Sequence, residues 1–157
     1  MSQAAAFEAH RHFLATVTPS GNTVVERATL APLRDFPSVS PHFSRSPVFG
    51  ATDPYSDAYD WTNTARAAEL LGHARPDVVV WNGSKGGSVG IAVERELRGR
   101  LEETAKCPAT TSLFAAIEAL EQLGARRLAF VTPDGDAYQS KVEKNFAEIG
   151  RPRNADD

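Results

Sequence analysis

Short apolar runs alternate with longer segments of helical periodicity along most of the chain. Apolar runs predict β-strands at residues 13–18, 42–49, 77–81 and 127–131. Apolar positions at helical spacing predict helices at residues 23–33, 61–73, 89–105, 113–123 and 137–149, the fourth of them capped by Ser112. Strands that alternate with helices of this length indicate parallel β-α-β units. We therefore expect an α/β fold in which helices cover a parallel sheet.

A glycine- and serine-rich stretch, W-N-G-S-K-G-G-S-V-G at residues 81–90, lies between a predicted strand and a predicted helix. Open α/β sheets bind ligands beyond the carboxyl ends of their strands, where N–H groups of the loop attract anions. The stretch therefore predicts an anion or carboxylate site, and the alternative is a structural turn that binds nothing. It matches neither a P-loop nor G-x-G-x-x-G, so nothing in it supports nucleotide binding.

The chain contains one internal repeat, between residues 13–22 and residues 127–136. Each copy has an apolar run, then V-T-P-x-G followed by Asn or Asp, then a predicted helix. Chance similarity is the alternative to two related lobes. If the lobes are real, residues 12–112 form a first flavodoxin-like or Rossmann-like lobe of three layers, and residues 113–150 begin a second. Residues 1–11 are then a lead-in, and the polar residues 151–157 are expected to be a disordered tail.

Composition narrows the class of protein. With 41% hydrophobic residues, 24% charged residues and a net charge of −3, the chain of 157 residues is expected to be globular and cytoplasmic. It has no basic block for nucleic acid, no apolar run long enough for a membrane span, and no N-terminal secretory signal. The single cysteine, Cys107, excludes an internal disulfide, and the four histidines lack metal-ligand spacing. We expect Cys107 to be a small core residue, and Trp61 and Trp81 to be core aromatics.

Three segments carry a family resemblance. Residues 17–26 resemble the first strand, turn and helix of maleate cis-trans isomerases. The stretch N-G-S-K-G-G-S at residues 82–88 is similar to the Cys-Thr-Ser-Gly-Ser loop of those enzymes and to the Gly-Thr-Ser loop of arylmalonate decarboxylases. The segment P-A-T-T-S at residues 108–112 is similar to a Pro-x-Thr-Thr segment of the same enzymes. On these motifs the chain is identified as a member of the aspartate/glutamate racemase superfamily.

The resemblance implies two similar α/β lobes with the active site in the cleft between them. It implies isomerisation, racemisation or decarboxylation next to a carboxylate, with no cofactor. This chemistry passes through an enediolate, whose charge must be stabilised by many hydrogen-bond donors. The expected partner is a small carboxylate or dicarboxylate, and we also expect a homo-oligomer.

Site residues follow from the resemblance position by position. Asn22 is expected to bind a substrate carboxylate through its amide, assisted by Ser20. Ser84 stands where relatives have a carboxylate-binding threonine. Lys85 replaces a serine and offers a cation to an anionic substrate. Asp134 stands where relatives often have a substrate-binding tyrosine, and its negative charge would repel a carboxylate.

Gly83 stands at the position of the first catalytic cysteine, so the site is expected to lack that thiol, as in the decarboxylases. The second catalytic cysteine of relatives lies further along a second lobe than residue 157 reaches. We therefore expect a chain that binds a carboxylate with both thiol positions empty or missing, which leaves its competence as an enzyme open. The alternative is a non-catalytic anion-binding domain or a truncated fragment.

Overall fold

The computed structural model describes residues 12–48, 58–132 and 134–150. The strands are β1 His12–Pro19, β2 Val39–Ser46, β3 Val78–Trp81 and β4 Ala109–Thr111. The helices are α1 Val25–Leu33, α2 Trp61–Gly72, α3 Gly86–Val89, α4 Ile91–Ala105, α5 Ser112–Gln122 and α6 Asp136–Glu148. The predictions for the lead-in at residues 1–11 and the tail at residues 151–157 lie outside the described residues.

The strands form one parallel sheet in the order β2-β1-β3-β4. This confirms the predicted α/β fold. β2 lies on one side of β1 in the sheet. The connection from β2 to β3 crosses over β1, so that β3 lies on the other side. Right-handed crossovers therefore place α1 on one face of the sheet and both α2 and α4 on the other face. The reversal between β1 and β3 is a topological switch point, where open α/β sheets hold their ligands.

The main core lies between the sheet and the helices α2 and α4. Alternate residues of β1 and β3 point to one face and are buried there with the apolar faces of both helices. The fully or nearly fully buried side chains are Ala15, Val17, Val79, Trp81, Ala67, Ala68, Leu71, Leu97, Leu101 and Ala105. Trp61 packs against this cluster while partly exposed, and Trp81 lies inside it, so both tryptophans occupy the core positions that we predicted.

A second apolar cluster joins α5, α6 and the segment between them, with Leu113, Val142 and Phe146 buried at its centre. The strand predicted at residues 127–131 is wrong: only Leu128 makes a single bridge, and Val131 is 97% exposed. A strand is stable only when a neighbour supplies hydrogen bonds along its length, and this segment is paired at one residue only. The second copy of the repeat therefore leads into α6 from irregular backbone.

Some predicted boundaries also change. The helix expected at residues 89–105 is present as α4 and begins at Ile91, because Gly90 adopts a φ of +96° that separates it from the one-turn helix α3. Thr111, and not Ser112, caps α5 through a 3.3 Å hydrogen bond that its Oγ1 accepts from the Phe114 N–H. The strand predicted at residues 42–49 begins earlier, at Val39, because the pairing with β1 extends to that residue.

Two kinds of feature are missing from the described part of the chain. None of its helices has the length and apolar character needed to cross a bilayer. Within the same ranges, no three side chains of the metal-binding types come close enough together to hold a metal ion.

Candidate functional site

A cavity of about 480 Å³ opens at the carboxyl ends of β1 and β3. Its lining comes from the carboxyl ends of all four strands and the segments that follow them, and consists of Pro19, Asn22, Val48, Asn82, Gly83, Ser84 and Ser112. Parallel strands end at a common edge, so loops far apart in sequence meet at the switch point. The fold thereby brings three of the predicted site residues, Asn22, Gly83 and Ser84, to one cavity.

The side chain of Asn22 is held by the start of α1. Its Oδ1 accepts hydrogen bonds from the Val24 N–H at 3.0 Å and from the Val25 N–H at 3.1 Å. Only the amide oxygen can accept these bonds, so the NH₂ group is the part left to meet a ligand in the cavity. An NH₂ group donates hydrogen bonds and suits a carboxylate oxygen, as the resemblance implied.

Arg45, at the end of β2, secures the loop that carries Asn22. Its guanidinium donates to the carbonyl oxygens of Ser20 at 3.0 Å and Asn22 at 2.8 Å, and it pairs with Glu26. Ser20 lies at the same edge, but its hydroxyl accepts a bond from the Val48 N–H at 3.2 Å and does not line the cavity. No motif pointed to Arg45, because its role depends on the strand register that pairs it with Thr18 near the end of β1.

Lys85 lies beside the cavity and not in its lining. It borders a smaller adjoining cavity of about 80 Å³, together with Tyr59, Trp81 and Ser84. Its Nζ stands 5.8 Å from the centre of the Tyr59 ring, at the outer limit of a cation–π contact. The cation is therefore held next to Ser84, where it favours an anionic ligand by its charge.

Gly83 has no space for a side chain. A Cβ added there would lie 2.8 Å from Nε1 of Trp81 and 2.9 Å from its Cε2 and Cζ2 atoms. Trp81 is only 2% exposed, so the indole has little freedom to move aside. Its buried Nε1 also has no hydrogen-bond acceptor in the described ranges. The thiol expected to be missing at position 83 is thus excluded by the residue two positions earlier.

A buried acid lies beneath the Gly-rich loop. Glu94 is 0% exposed, and its Oε1 accepts a hydrogen bond from the hydroxyl of Tyr59. A Cβ at Gly86 would lie 2.7 Å from its carboxyl carbon, so glycine is what lets the loop rest on the acid. Burial raises the pKa of Glu94, and the hydroxyls of Thr111 and Tyr59 offset this only in part. Burial, and then the charge of Glu94, raises the pKa of Tyr59 as well.

Asp134 lines neither of these two cavities. Tyr138, four positions later, contacts the Gly-rich loop and lines a cavity on its other side. The hydroxyl of Tyr138 donates to the carbonyl oxygen of Ser84 at 3.0 Å. Its ring lines a third cavity, of about 280 Å³, between the Gly-rich loop and α6. Burial, and then the charge of Asp134, raises the pKa of Tyr138. Sequence reasoning missed this tyrosine because it stands four positions from the one expected.

Cys107 lies just before β4, which begins at Ala109, and therefore at the amino ends of the strands, opposite the end that carries the cavity. It is half-buried against the main core, as predicted, and burial raises the pKa of its thiol. The cavity faces the carboxyl ends of the strands, so this thiol cannot act there. Cys107 is the only cysteine of the sequence, and the end of the sheet that carries the site therefore has no thiol of this chain.

Comparison of the sequence with known proteins finds no match, whereas comparison of the structure does. No family profile matches the chain, and no curated protein matches its sequence with significance. Solved structures do match. The maleate isomerase Iso from Pseudomonas putida superposes with a TM-score of 0.78 over 91% of this chain and 62% of its own, at 25% identity.

Two further structures agree with that result. A mutant maleate cis-trans isomerase from Nocardia farcinica, solved with a covalently bound succinylcysteine intermediate, gives a TM-score of 0.79 at 23% identity. Unliganded arylmalonate decarboxylase gives 0.71 at 21% identity. They overlap 90% of this chain, which spans 60% and 58% of their respective lengths. The chain thus has the fold of the aspartate/glutamate racemase superfamily, to which its motifs pointed.

Proposed function

We propose that this chain binds a small carboxylate or dicarboxylate in the 480 Å³ cavity, as part of a protein that acts on the carbon next to a carboxylate. The reaction class would be cofactor-independent isomerisation, racemisation or decarboxylation. The observation that carries the proposal is the convergence of Asn22, Ser84 and the Gly-rich loop on one cavity at the switch point of a racemase-like fold.

The donors at the cavity fit a carboxylate. Asn22 offers its NH₂ group, Ser84 offers a hydroxyl, and Asn82 offers a second amide. The hydroxyl of Ser112 lines the same cavity but donates to the Trp81 carbonyl oxygen at 3.3 Å, so it can only accept from a ligand. Neutral donors with one nearby cation, Lys85, can bind a carboxylate and can also stabilise an enediolate, in which more negative charge develops on the same oxygens.

No residue at the cavity is assigned the acid or base of the reaction. Gly83 excludes a side chain and Cys107 lies at the amino ends of the strands. This observation favours a second candidate function, in which the chain binds a carboxylate without transforming it. The two candidates share one ligand site and differ in turnover.

Binding is tested by calorimetric titration of maleate, malonate and phenylmalonate. Asn22→Asp keeps the oxygen that caps α1 and replaces the NH₂ donor by a carboxylate that repels the ligand. We expect this change and Ser84→Ala each to weaken binding about tenfold or more, because a hydrogen bond to a charged group contributes about 1.5–3 kcal/mol. Ser20→Ala is the matched control at the same edge, and its dissociation constant should equal that of the wild type.

Turnover is followed by NMR, through the appearance of fumarate from maleate and of phenylacetate from phenylmalonate. Binding without product favours the non-catalytic candidate. Product formation that persists in both Asn22→Asp and Ser84→Ala would show that the chemistry happens elsewhere. Inorganic phosphate that competes as strongly as the dicarboxylates would indicate a general anion site instead of a carboxylate site.

A further inference from the structure

Three backbone carbonyls of the Gly-rich loop accept hydrogen bonds from side chains of α6. The hydroxyl of Tyr138 donates to the Ser84 oxygen at 3.0 Å. The Nδ2 group of Asn145 donates to the Gly87 oxygen at 2.8 Å and to the Ser88 oxygen at 3.1 Å. These bonds span more than fifty positions of sequence, so they connect α6 with the loop that follows β3.

Apolar contact supports the same interface. Val142 is 6% exposed, and a Cβ at Gly87 would lie 3.4 Å from its Cγ2 atom. A Cβ at Gly90 would lie 3.2 Å from Oδ1 of Asn145. Gly90 thus lets α6 approach the loop backbone closely, whereas at Gly87 a Cβ would make only an ordinary contact with Val142. The polar bonds of Tyr138 and Asn145 lie on either side of Val142. The helix is seated against the loop by shape as well as by hydrogen bonds.

Asn145 donates its hydrogen bonds to carbonyl groups in the last turn of α3. This helix has one turn, Gly86–Val89, and a single turn is too short to be stable by itself. The last carbonyls of a helix have no partner within it, and α4 cannot continue the ladder because of Gly90. Asn145 supplies the donor for two of these carbonyls. The one-turn helix that follows the cavity-lining residues Gly83 and Ser84 therefore depends on α6.

Tyr138 determines how one peptide group is oriented. In a trans peptide the N–H points opposite to the C=O of the same group. With the Ser84 carbonyl held on the α6 side, the Lys85 N–H is turned away from α6. The bond thus selects one of two possible orientations for the peptide that follows the proposed ligand-binding serine.

We infer that Tyr138 and Asn145 are positioning residues for the carboxylate site. They fix the Gly-rich loop in the conformation that presents Ser84 to the ligand. Neither lines the 480 Å³ cavity, so neither touches the proposed ligand there. The inference rests on the proposed function for its effect on affinity, and on the structure alone for its effect on the loop.

The test measures amide hydrogen exchange of residues 83–90 and maleate affinity in the same proteins. Asn145→Asp has the same shape but loses its donors and places carboxylate oxygens against two carbonyls. We expect loop exchange about tenfold faster and a dissociation constant raised by a similar factor, with exchange at Val17 and Val79 in the core unchanged. Tyr138→Phe, which keeps the ring, should give a smaller change centred on Lys85. Lys144→Ala, exposed on the same helix, is the control and should change neither quantity.

Equal loop exchange in Asn145→Asp and Lys144→Ala would overturn the inference. So would faster exchange with an unchanged dissociation constant, since the loop would then not need its clamp to bind. Should Asn145→Asp fail to fold, Tyr138→Phe and Asn145→Ser give the same two measurements. A wild type that binds no carboxylate would refute the proposed function but not the clamp, which loop exchange would still decide.

Discussion

Gly83 and Trp81 make the sharpest prediction, because the structure excludes a side chain at a position where related enzymes carry a thiol. Gly83→Ala places a Cβ 2.8–2.9 Å from three atoms of the indole, well inside the 3.4–4 Å of an ordinary contact. Trp81 is buried at 2% exposure, so the overlap must be relieved by a shift of the core. Overpacking of this kind costs about 1–3 kcal/mol.

The matched control is Gly21→Ala. Gly21 lies at the same edge of the sheet, and a Cβ there meets nothing within 4 Å. Removing a glycine at such a site leaves stability unchanged or raises it by about 0.4–1 kcal/mol, because the unfolded chain loses freedom. Thermal unfolding should therefore place Gly83→Ala about 2–12 °C below the wild type and Gly21→Ala at or slightly above it.

Repeating the Gly83→Ala substitution in a Trp81→Phe protein tests whether contact with the indole causes the destabilisation. Trp81→Phe keeps an aromatic ring but has no atoms at the Nε1 and Cζ2 positions, and it also removes an N–H that has no acceptor. In that background Gly83→Ala should be nearly neutral, which corresponds to a coupling energy of about 1–3 kcal/mol in the double-mutant cycle. Equal destabilisation in both backgrounds, or a Gly83→Ala protein as stable as Gly21→Ala, would refute the steric reasoning.

Three further results are expected. Gly86→Ala should destabilise the fold, because its Cβ would meet the Glu94 carboxyl at 2.7 Å, whereas Gly87→Ala, with 3.4 Å to its nearest neighbour, should be tolerated in urea unfolding. Burial raises the pKa of Glu94 above 4.5, so the folded state keeps this proton to higher pH than the unfolded chain. The free energy of unfolding should then fall as pH rises from 4.5 through the raised pKa. The urea midpoint of Glu94→Gln should not show that part of the fall. If the wild type and Glu94→Gln gave parallel curves of urea midpoint against pH, the prediction would be contradicted. Cys107→Ser should leave maleate affinity unchanged in calorimetry, because the thiol lies at the amino ends of the strands.

The hydrophobic pattern was sufficient to predict the parallel α/β fold, because the periodicity of a helix or strand is a local property. It failed at residues 127–131, where an apolar run is paired at one residue only. It also missed the one-turn helix Gly86–Val89, which Gly90, with its positive φ, separates from the helix that follows.

The family resemblance identified Asn22 and Ser84 as candidates, and the fold brings both to one cavity. It did not separate these two from Ser20, whose hydroxyl binds the Val48 N–H and not the cavity. Nor did it find Tyr138, because its distance from Ser84 is set by how α6 packs.

The sequence by itself therefore determined most of the elements, their parallel arrangement and the superfamily whose fold the chain has. Only the tertiary structure decided what surrounds them. Glu94 looks like one of many charged residues on an exposed helix, yet it is fully buried beneath the loop. Asn145 stands 57 and 58 positions from the carbonyls that it binds. Such contacts depend on how several elements pack at once, whereas periodicity and motifs report only on residues that are neighbours along the chain.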